Sequence, residues 1–163
     1  MVKVLFVCLG NICRSPLAQG LMEKKISELG LRNSIEVDSC GTSSYHIGQQ
    51  PDERTLKNAL KNGLKLNHQA RQFIRKDFRE FDYILTMDQA NLDCARRLDQ
   101  THEFSDKLQL MRDFDPIDPG ADVPDPYFGG EEGFQHVYNI LERSVDNFIQ
   151  KIIATHNLRP AAS

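Results

Sequence analysis

The stretch VKVLFVCLGNICRSP, residues 2 to 16, combines an apolar strand, a polar loop and a helix start. Its first six residues are apolar except for one lysine, which is typical of a strand buried on both faces of a parallel sheet. Pro16 fits the first turn of a helix with Ser15 as its N-cap, so a helix is predicted from there to Gly30. The loop from Cys8 to Arg14 carries a thiol, a glycine, an amide and a guanidinium, which suit an anion-binding site better than a core.

Alternating strand and helix patterns follow this stretch. The further elements predicted are strands at 35–40, 81–87 and 107–111 and helices at 51–63 and 88–98. Asp88 would cap the second of these helices. The last helix is the clearest, because apolar residues from Phe134 to Ile152 recur at a spacing of about 3.6 residues. Such alternation predicts an α/β fold with a four-stranded parallel sheet and right-handed crossovers. Ligands of these sheets bind at the carboxyl ends of the strands, where the loop after the first strand lies.

Composition and charge narrow the class of protein. A chain of 163 residues suggests one domain. Lys and Arg number 20 against 23 Asp and Glu, a net charge of −3 without a basic run, so binding to nucleic acid or to membranes gains no support. The apolar stretch from Val4 to Leu9 is too short for a signal peptide or a membrane span. A cytoplasmic protein whose four cysteines rest as thiols is therefore expected.

The spacing C-x5-R-S from Cys8 to Ser15 would place a nucleophile at the bottom of an anion-binding loop and a guanidinium on its wall. Loop amides that point inward form an anion-binding nest, and the dipole of the following helix adds to it. Gly10 permits backbone angles that other residues resist, and Asn11 tolerates the left-handed region. Arg14 offers a planar fork that matches two phosphate oxygens, and the same positive surroundings favour a nucleophilic thiolate. A hydrogen bond from Ser15 would help the sulfur of Cys8 to leave when a covalent intermediate breaks down.

Motifs that would indicate a nucleotide-binding or metal-binding site are incomplete or absent. A nucleotide-binding P-loop needs G-x4-G-K-S/T, and neither that pattern nor G-x-G-x-x-G is present. Cys8 and Cys13 have no second ligand pair to complete a zinc site, and no metal or cofactor is expected. The stretch from Asp113 to Gly130 is a long loop rich in Pro, Gly and Asp, and loops of that length are usually functional or disordered. Its acidic residues lack the spacing of an EF-hand calcium site.

The residues from Cys8 to Pro16 resemble the signature of the low-molecular-weight protein tyrosine phosphatases. The similarity continues, in order and at the spacing of that family, through DSCGTSSYHIGQQPDERT, LNHQARQF, FDYILTMDQANL and VPDPYFGG. It covers nearly the whole chain, so one phosphatase domain is expected over residues 1–158, followed by a flexible tail at 159–163. The family fold is a single three-layer domain with a four-stranded parallel sheet, helices on both faces and a phosphate-binding loop after strand 1. That fold agrees with the pattern of elements above.

The resemblance implies roles for the residues that match the motifs of the family. Cys8 matches the nucleophile, Arg14 the phosphate-binding arginine and Asp125 the general acid and base. The other matched positions are the phosphate-binding loop, Leu9, Gly10, Asn11, Ile12, Cys13, Arg14 and Ser15; the network that holds it, Asn11, Ser15, Ser39 and His68; and the cleft walls, Tyr45, Tyr127 and Phe128. Many eukaryotic members have a second tyrosine where this chain has Phe128, so regulation by phosphorylation there is not expected.

The expected reaction is hydrolysis of aryl phosphate monoesters through a cysteinyl-phosphate intermediate. Attack by the thiolate, charge stabilisation by the loop and proton transfer by Asp125 would suffice without a metal. The expected partners are a phosphotyrosine-containing protein as substrate and inorganic phosphate as product, and the protein is expected to be a monomer. The pattern alone does not favour Asp125 over Asp113, Asp115, Asp118 or Asp122 in the same loop, whereas the family match does.

The remaining reactive side chains are less specific. Cys13 either packs within the loop or captures an oxidised Cys8 as a disulfide, and we favour a role as redox partner. Cys40 and Cys94 are expected to be plain thiols, and His46 is expected to be a surface residue.

Three other functions fit the same loop less well. An arsenate reductase on this fold needs a closely spaced cysteine pair near positions 80 to 90, and this chain offers only Cys94, inside a predicted helix. The protein arginine phosphatases resemble this chain but carry a threonine where it has Ile12. A module that only binds phosphate would need neither Cys8 nor a candidate acid.

Overall fold

The computed structural model describes residues 1–161, and in this part of the chain four parallel strands form one sheet. The strands are β1 (Val2–Cys8), β2 (Ile35–Gly41), β3 (Tyr83–Thr86) and β4 (Leu108–Leu110). Their order in the sheet is β2-β1-β3-β4. Strand β1 is central, and it pairs with β2 from Val2 opposite Ile35 to Cys8 opposite Gly41. The predicted four-stranded parallel sheet is therefore confirmed.

Helices cover both faces of the sheet. They are α1 (Arg14–Glu28), α2 (Glu53–Lys61), α3 (Lys76–Glu80), α4 (Gln89–Leu98) and α5 (Glu131–Thr155). Side chains of β1 alternate between the two faces, as they do in any strand. Val4 and Phe6 pack against α1 and α5, whereas Leu5 and Val7 pack against α3 and α4. The result is the expected three-layer domain, in which β1 is buried on both sides and delivers Cys8 to its carboxyl end.

Some local predictions are wrong in detail. Ser15 is not the N-cap of α1, because that position falls on Cys13 and Ser15 lies within the first turn. The third strand covers four residues rather than seven, and α3 was not predicted. The predicted ends of α1 and α2 are correct, since Gly30 and Gly63 follow them with φ of 66° and 79°. Positive φ of this kind favours glycine, because it has no Cβ.

The C-terminal segment was predicted to be a flexible tail over residues 159–163. Positions 162 and 163 lie outside the described residues, and the flexible tail stays a prediction. Ahead of them, the N–H of Ala161 donates a hydrogen bond to the carbonyl of Leu29, with nitrogen and oxygen 2.8 Å apart. Within residues 1–161, none of the helices combines the length and apolar character that a membrane span requires.

Candidate active site

The loop after β1 curls around the sulfur of Cys8. The backbone N–H of Asn11 points at this sulfur, with nitrogen and sulfur 3.3 Å apart, and the hydroxyl oxygen of Ser15 lies 3.0 Å from it. The curl depends on a φ of 57° at Asn11, a left-handed conformation that asparagine tolerates better than most residues. Cys8 thus lies beneath a backbone amide and at the N-terminal end of α1, which is a site that attracts anions.

Two glycines make room for the curl. A Cβ atom on Gly41, at the end of β2, would lie 2.7 Å from the carbonyl oxygen of Leu9, and the backbone there cannot move aside. A Cβ atom on Gly10 would lie 2.9 Å from the ring of His46. The sequence predicted unusual backbone angles at Gly10, but the positive φ falls on Asn11 instead. What Gly10 provides is space for a ring above the loop.

Asn11 is the centre of the network that supports the loop. It is 1% exposed, and its amide nitrogen donates to the hydroxyls of Ser15 and Ser39 at 2.7 and 3.0 Å. Its carbonyl oxygen accepts from Nε2 of His68 at 2.8 Å and from the backbone N–H of Arg71 at 3.1 Å. Burial lowers the pKa of His68, so a neutral ring that donates one hydrogen bond fits this position. The four residues predicted as a network are in contact.

The network extends beyond the predicted residues to Gln19 of α1. The hydroxyl of Ser39 donates to Oε1 of Gln19 at 2.6 Å, and Nε2 of Gln19 donates to Glu23 at 2.8 Å. Gln19 is 8% exposed and lies one turn beyond Ser15 on α1. No signal in the sequence identifies Gln19, because a single glutamine in a helix is ordinarily a surface residue.

Arg14 is 2% exposed and is held from one side. Its Nη1 donates to Oδ2 of Asp88 at 2.7 Å and to the carbonyl oxygen of Val123 at 2.9 Å. Burial by itself would lower the pKa of Arg14, but the sulfur of Cys8 and the carboxylate of Asp88 raise it above its ordinary value. The guanidinium therefore stays charged at the wall of the loop.

Asp88 was predicted to cap α4, and it does so with one of its oxygens. Oδ1 accepts from the backbone N–H of Asn91 at 2.8 Å, while Oδ2 binds Arg14. Its position after β3, beside the central strand, is the signal that could have identified it, because ligand-binding residues of parallel sheets collect at the carboxyl ends of strands.

Asp125 reaches the site from the long loop before α5. Its Oδ2 lies 3.6 Å from Nη2 of Arg14, and its Oδ1 accepts from the backbone N–H of Tyr127 at 3.0 Å. Its side chain is 41% exposed, so it can exchange protons with solvent. Together with Cys8 and Arg14 it lines a cavity of about 240 Å³.

The four competing aspartates of that loop have other partners. Asp113 accepts from the N–H of Leu110, Asp115 binds two arginines, Asp118 lies 3.5 Å from Arg112, and Asp122 accepts from the N–H of Gln89. None of the four is among the residues that line the cavity. The choice of Asp125 therefore agrees with the geometry.

A buried ion cluster fixes the base of the long loop. Asp115, 1% exposed, accepts from Nε of Arg143 at 2.8 Å and from Nε of Arg112 at 3.0 Å. Burial would raise the pKa of Asp115, but the hydrogen bonds from Arg143, the backbone N–H of Ile117 and Arg112 hold it well below its usual range. Nη1 of Arg112 also donates to the carbonyl oxygen of Asp122 at 2.7 Å. The cluster therefore holds the chain just before the segment that carries the candidate acid.

Aromatic side chains form the mouth of the cavity. Tyr45, Tyr127 and Phe128 all line it, and the ring centroids of Tyr127 and Phe128 lie 5.0 Å apart in an edge-to-face arrangement. His46, expected to be a surface residue, also lines the cavity, with its ring 6.4 Å from that of Tyr127. The three predicted walls are thus brought together, and His46 is an addition that the sequence did not reveal.

The cysteines differ in burial, and all four are free. Cys13 lines the cavity but is only 6% exposed, and burial raises its pKa to about 12. Cys40 lies fully within the core, and Cys94 is partly exposed on α4. Within residues 1–161, no group of three or more His, Cys, Asp or Glu side chains is placed to hold a metal ion.

The model of a known protein family matches nearly the whole chain. The sequence model described as low molecular weight phosphotyrosine protein phosphatase matches residues 3–158. The chain belongs to this family. It is 42% identical over 150 residues to the low molecular weight phosphotyrosine protein phosphatase of Gallus gallus, with 91% of this chain and 94% of the relative covered. The predicted family and the predicted class of enzyme, a phosphatase and hence a hydrolase, are confirmed.

Solved structures of other phosphatases share the fold. A protein tyrosine phosphatase from Entamoeba histolytica, crystallised with Hepes in its active site, is 41% identical with a TM-score of 0.89, covering 97% of this chain and 100% of that one. A Drosophila arginine phosphatase is 34% identical with a TM-score of 0.86, covering 93% of this chain and 98% of that one. The chain is therefore similar to structures named for two different phosphoamino acids.

Proposed function

We propose that this phosphatase hydrolyses phosphotyrosine in proteins, with Cys8 as nucleophile, Arg14 as phosphate ligand and Asp125 as general acid and base. The observation that carries the proposal is that these three side chains, from β1, α1 and the loop before α5, line one cavity. The walls of that cavity are aromatic, which suits the flat ring of a phenyl phosphate.

Binding of the phosphate would use the loop and the free edge of the arginine. Nη1 of Arg14 is engaged by Asp88 and Val123, so phosphate oxygens would bind its Nε and Nη2 edge, where Oδ2 of Asp125 lies 3.6 Å from Nη2. A guanidinium held in this way matches two oxygens of a dianion with little loss of freedom on binding. The backbone N–H of Asn11, which points at the sulfur of Cys8, and neighbouring amides of the loop would neutralise the remaining charge.

The first step would form the S–P bond and break the P–O bond to the leaving group. The Cys8 thiolate attacks phosphorus in line with the leaving oxygen, and the proton of Asp125 passes to that oxygen. Arg14 and the loop amides hold the equatorial oxygens, where the charge of the transition state is spread. The product at this stage is the free phenol, and the enzyme carries the phosphoryl group on sulfur.

The second step would return the enzyme to its starting state. Asp125, now a carboxylate, takes a proton from water, the water oxygen bonds to phosphorus and the S–P bond breaks. Inorganic phosphate leaves, and the sulfur of Cys8 departs as a thiolate. The Ser15 hydroxyl, 3.0 Å from that sulfur, would stabilise the charge as it develops.

The same proposal includes the substrate, the product, the oligomeric state and the location of the enzyme. The substrate would be a phosphotyrosine side chain of another protein, inorganic phosphate the product and the active form a monomer in the cytoplasm, with no nucleic-acid or membrane partner. The net charge of −3 and the exposed aromatic rim, where Phe128 is 96% exposed, support protein recognition by apolar contact rather than by a basic surface.

Phosphoarginine is the second candidate, because a Drosophila arginine phosphatase shares the fold at 34% identity. Ile12, which lines the cavity, favours the aryl substrate. Its side chain is apolar and offers no hydrogen bond to a guanidino group, whereas it can contact a phenyl ring. Peptides that carry phosphotyrosine or phosphoarginine in one sequence context would compare the two directly, and we expect a higher kcat/KM for phosphotyrosine.

Cys13 is proposed to act as the redox partner of Cys8. Both cysteines belong to one loop and line the same cavity, which supports this role. Burial raises the pKa of Cys13 to about 12, so peroxide attacks it slowly, and Cys13 would have to lose its proton as it attacks the oxidised sulfur of Cys8. A sulfenic acid on Cys8 would condense with the thiol of Cys13 to give a disulfide and water. External thiols would reverse the reaction.

The proposed function is tested by hydrolysis of aryl phosphates in the presence of a metal chelator. We expect Cys8→Ser to be inactive and Asp125→Ala to be slowed by about 100-fold on phenyl phosphate but much less on p-nitrophenyl phosphate, whose leaving group needs less help from an acid. Asp118→Ala, an exposed aspartate of the same loop, is the matched control and should retain activity. Hydrolysis that survives in Cys8→Ser would refute the mechanism.

A further inference from the structure

We propose that Arg54 is a positioning residue for the general acid, because it holds Tyr127, and through Tyr127 the carboxylate of Asp125, against the phosphate-binding loop. The inference rests on the proposed role of Asp125. Arg54 lies at the start of α2, and it was not identified from the sequence.

The guanidinium of Arg54 is fixed on one side by Asp52, the N-cap of α2. Oδ1 of Asp52 accepts from Nε of Arg54 at 3.0 Å and from its backbone N–H at 2.9 Å, and Oδ2 accepts from Nη2 at 2.9 Å. The backbone N–H of Asp52 donates in turn to the carbonyl oxygen of Ile12 at 2.8 Å. The two-point contact between Arg54 and Asp52 therefore sets the orientation of the guanidinium relative to the phosphate-binding loop.

Aromatic rings contact the same guanidinium. Its central carbon lies 4.8 Å from the centroid of Phe134 and 5.3 Å from that of Tyr127, both within the range of cation–π contact. Phe134 is 3% exposed and packs with Ile12 and Cys13, so it is a rigid support. Tyr127 is 38% exposed, and Phe128 beside it is almost entirely exposed. Arg54 thus links a fixed ring to a ring of an exposed loop.

The link continues from the ring of Tyr127 to the acid. The backbone N–H of Tyr127 donates to Oδ1 of Asp125, whose Oδ2 faces Arg14 at 3.6 Å. When the ring of Tyr127 is held, this N–H is held as well, and the carboxylate keeps one oxygen turned into the cavity. Without Arg54, Tyr127 would adopt other positions, and Asp125 would face the leaving oxygen for a smaller share of the time.

Two simpler roles for Arg54 make different predictions. If it only stabilised α2, its loss would lower the melting temperature and reduce activity equally on all substrates. If it bound an acidic side chain next to phosphotyrosine, its loss would raise KM for peptides and leave small aryl phosphates unaffected. A positioning role affects the acid step alone, so the loss should grow as the leaving group becomes poorer.

The experiment compares kcat/KM on phenyl phosphate and on p-nitrophenyl phosphate for wild type, Arg54→Met, Arg54→Lys, Lys57→Met and Asp125→Asn. For Arg54→Met we expect a loss of about tenfold on phenyl phosphate and less than about threefold on p-nitrophenyl phosphate, with partial recovery in Arg54→Lys. Lys57 is an exposed cation of the same helix, so Lys57→Met is the matched control and should equal wild type. Arg54→Met should cause no additional loss when it is combined with Asp125→Asn.

The amide NMR signals of Tyr127 and Asp125 give a second measurement, and both should shift in Arg54→Met but not in Lys57→Met. An equal loss on both substrates, or a loss that persists in the Asp125→Asn background, would overturn the proposal. If Asp125→Asn is slow on phenyl phosphate while Arg54→Met equals wild type, the proposed function stands and the role of Arg54 is refuted. If Asp125→Asn equals wild type, the acid assignment is wrong, and the role of Arg54 is refuted with it.

Discussion

Nη1 of Arg14 lies 2.7 Å from Oδ2 of Asp88, and this pair joins the phosphate-binding loop to the end of β3. The other oxygen of Asp88 caps α4, so one carboxylate orients the arginine and starts a helix. The arginine side chain is 3% exposed and the aspartate 20%, so the pair lies largely away from water. Hydrogen bonds between charged groups in such surroundings are among the stronger ones in proteins.

Replacement of Asp88 by Asn should weaken phosphate binding. The asparagine retains an oxygen for the cap of α4 but loses the charged contact to Arg14, which is worth about 1.5–3 kcal/mol. We expect kcat/KM on p-nitrophenyl phosphate to fall by about tenfold or more, and the inhibition constant of inorganic phosphate to rise. Asp93→Asn, on the exposed side of the same helix, is the control. Tighter phosphate binding in Asp88→Asn would show instead that the carboxylate mainly competes with substrate for the guanidinium.

Replacement of Ser15 by Ala should slow the second step more than the first. The hydroxyl has one proton, which can go to the sulfur of Cys8 at 3.0 Å or to the carbonyl of Cys40 at 3.3 Å, and a departing thiolate is the stronger acceptor. The cysteinyl-phosphate should therefore accumulate, and rapid-quench measurements with p-nitrophenyl phosphate should show a larger burst and a kcat lower by about tenfold. Ser43→Ala, which removes a hydroxyl bound to the carbonyl of Leu9, should leave the burst unchanged.

The carboxylate of Asp115 should make the free energy of unfolding depend on pH in the acid range. Its pKa is held below the ordinary value, so the folded chain keeps it ionised at a pH where the unfolded chain takes up a proton. The carboxylate makes its full contribution to the free energy of unfolding above its pKa in the unfolded chain, about 4. This contribution is lost as the pH falls from there toward the lower pKa of Asp115 in the folded chain. At pH 7, Asp115→Asn leaves buried Arg112 with Asp118, 3.5 Å away, as its remaining charge partner, and the free energy of unfolding should fall by about 3–5 kcal/mol.

Urea unfolding at pH 7 and at pH 3 measures this effect. The difference in unfolding free energy between wild type and Asp115→Asn should be smaller at pH 3, because wild type has by then lost part of what the carboxylate contributes. Asp106→Asn, at an exposed position, should show no such change. A difference that stays constant between the two pH values would mean that the hydrogen-bond geometry, and not the charge, stabilises the cluster.

The sheet could be predicted because its strands carry local patterns. Strand β1 is almost entirely apolar because both of its faces are buried. Helix α5 shows the 3.6-residue spacing because one of its faces is buried. Both patterns are visible in a short window of sequence. Helix α3 is different, since five residues are too few to show a period. It is held by contacts from outside the helix: Asp77 accepts from the N–H of Ile74 at 2.9 Å and from Nη1 of Arg71 at 3.0 Å.

The candidate site was visible only where its residues lie close together in sequence. Cys8 and Arg14 belong to one loop, so their spacing alone indicated an anion-binding site. The role of Asp125 required the family resemblance, because nothing local distinguishes it from the other aspartates of its loop. Gln19 and Arg54 could not be found at all, since their partners Ser39 and Tyr127 are distant in sequence and meet them only in the folded chain.

Replacement of Cys13 by Ser should make oxidation by peroxide irreversible. In wild type, the sulfenic acid of Cys8 is expected to form a disulfide with Cys13, and dithiothreitol should then restore activity. Without that thiol, further peroxide converts Cys8 to a sulfinic acid, which dithiothreitol does not reduce. Cys94→Ser removes a partly exposed thiol on α4 and should recover like wild type. Equal recovery of Cys13→Ser and wild type would leave Cys13 as a packing residue, a role that its 6% exposure also fits.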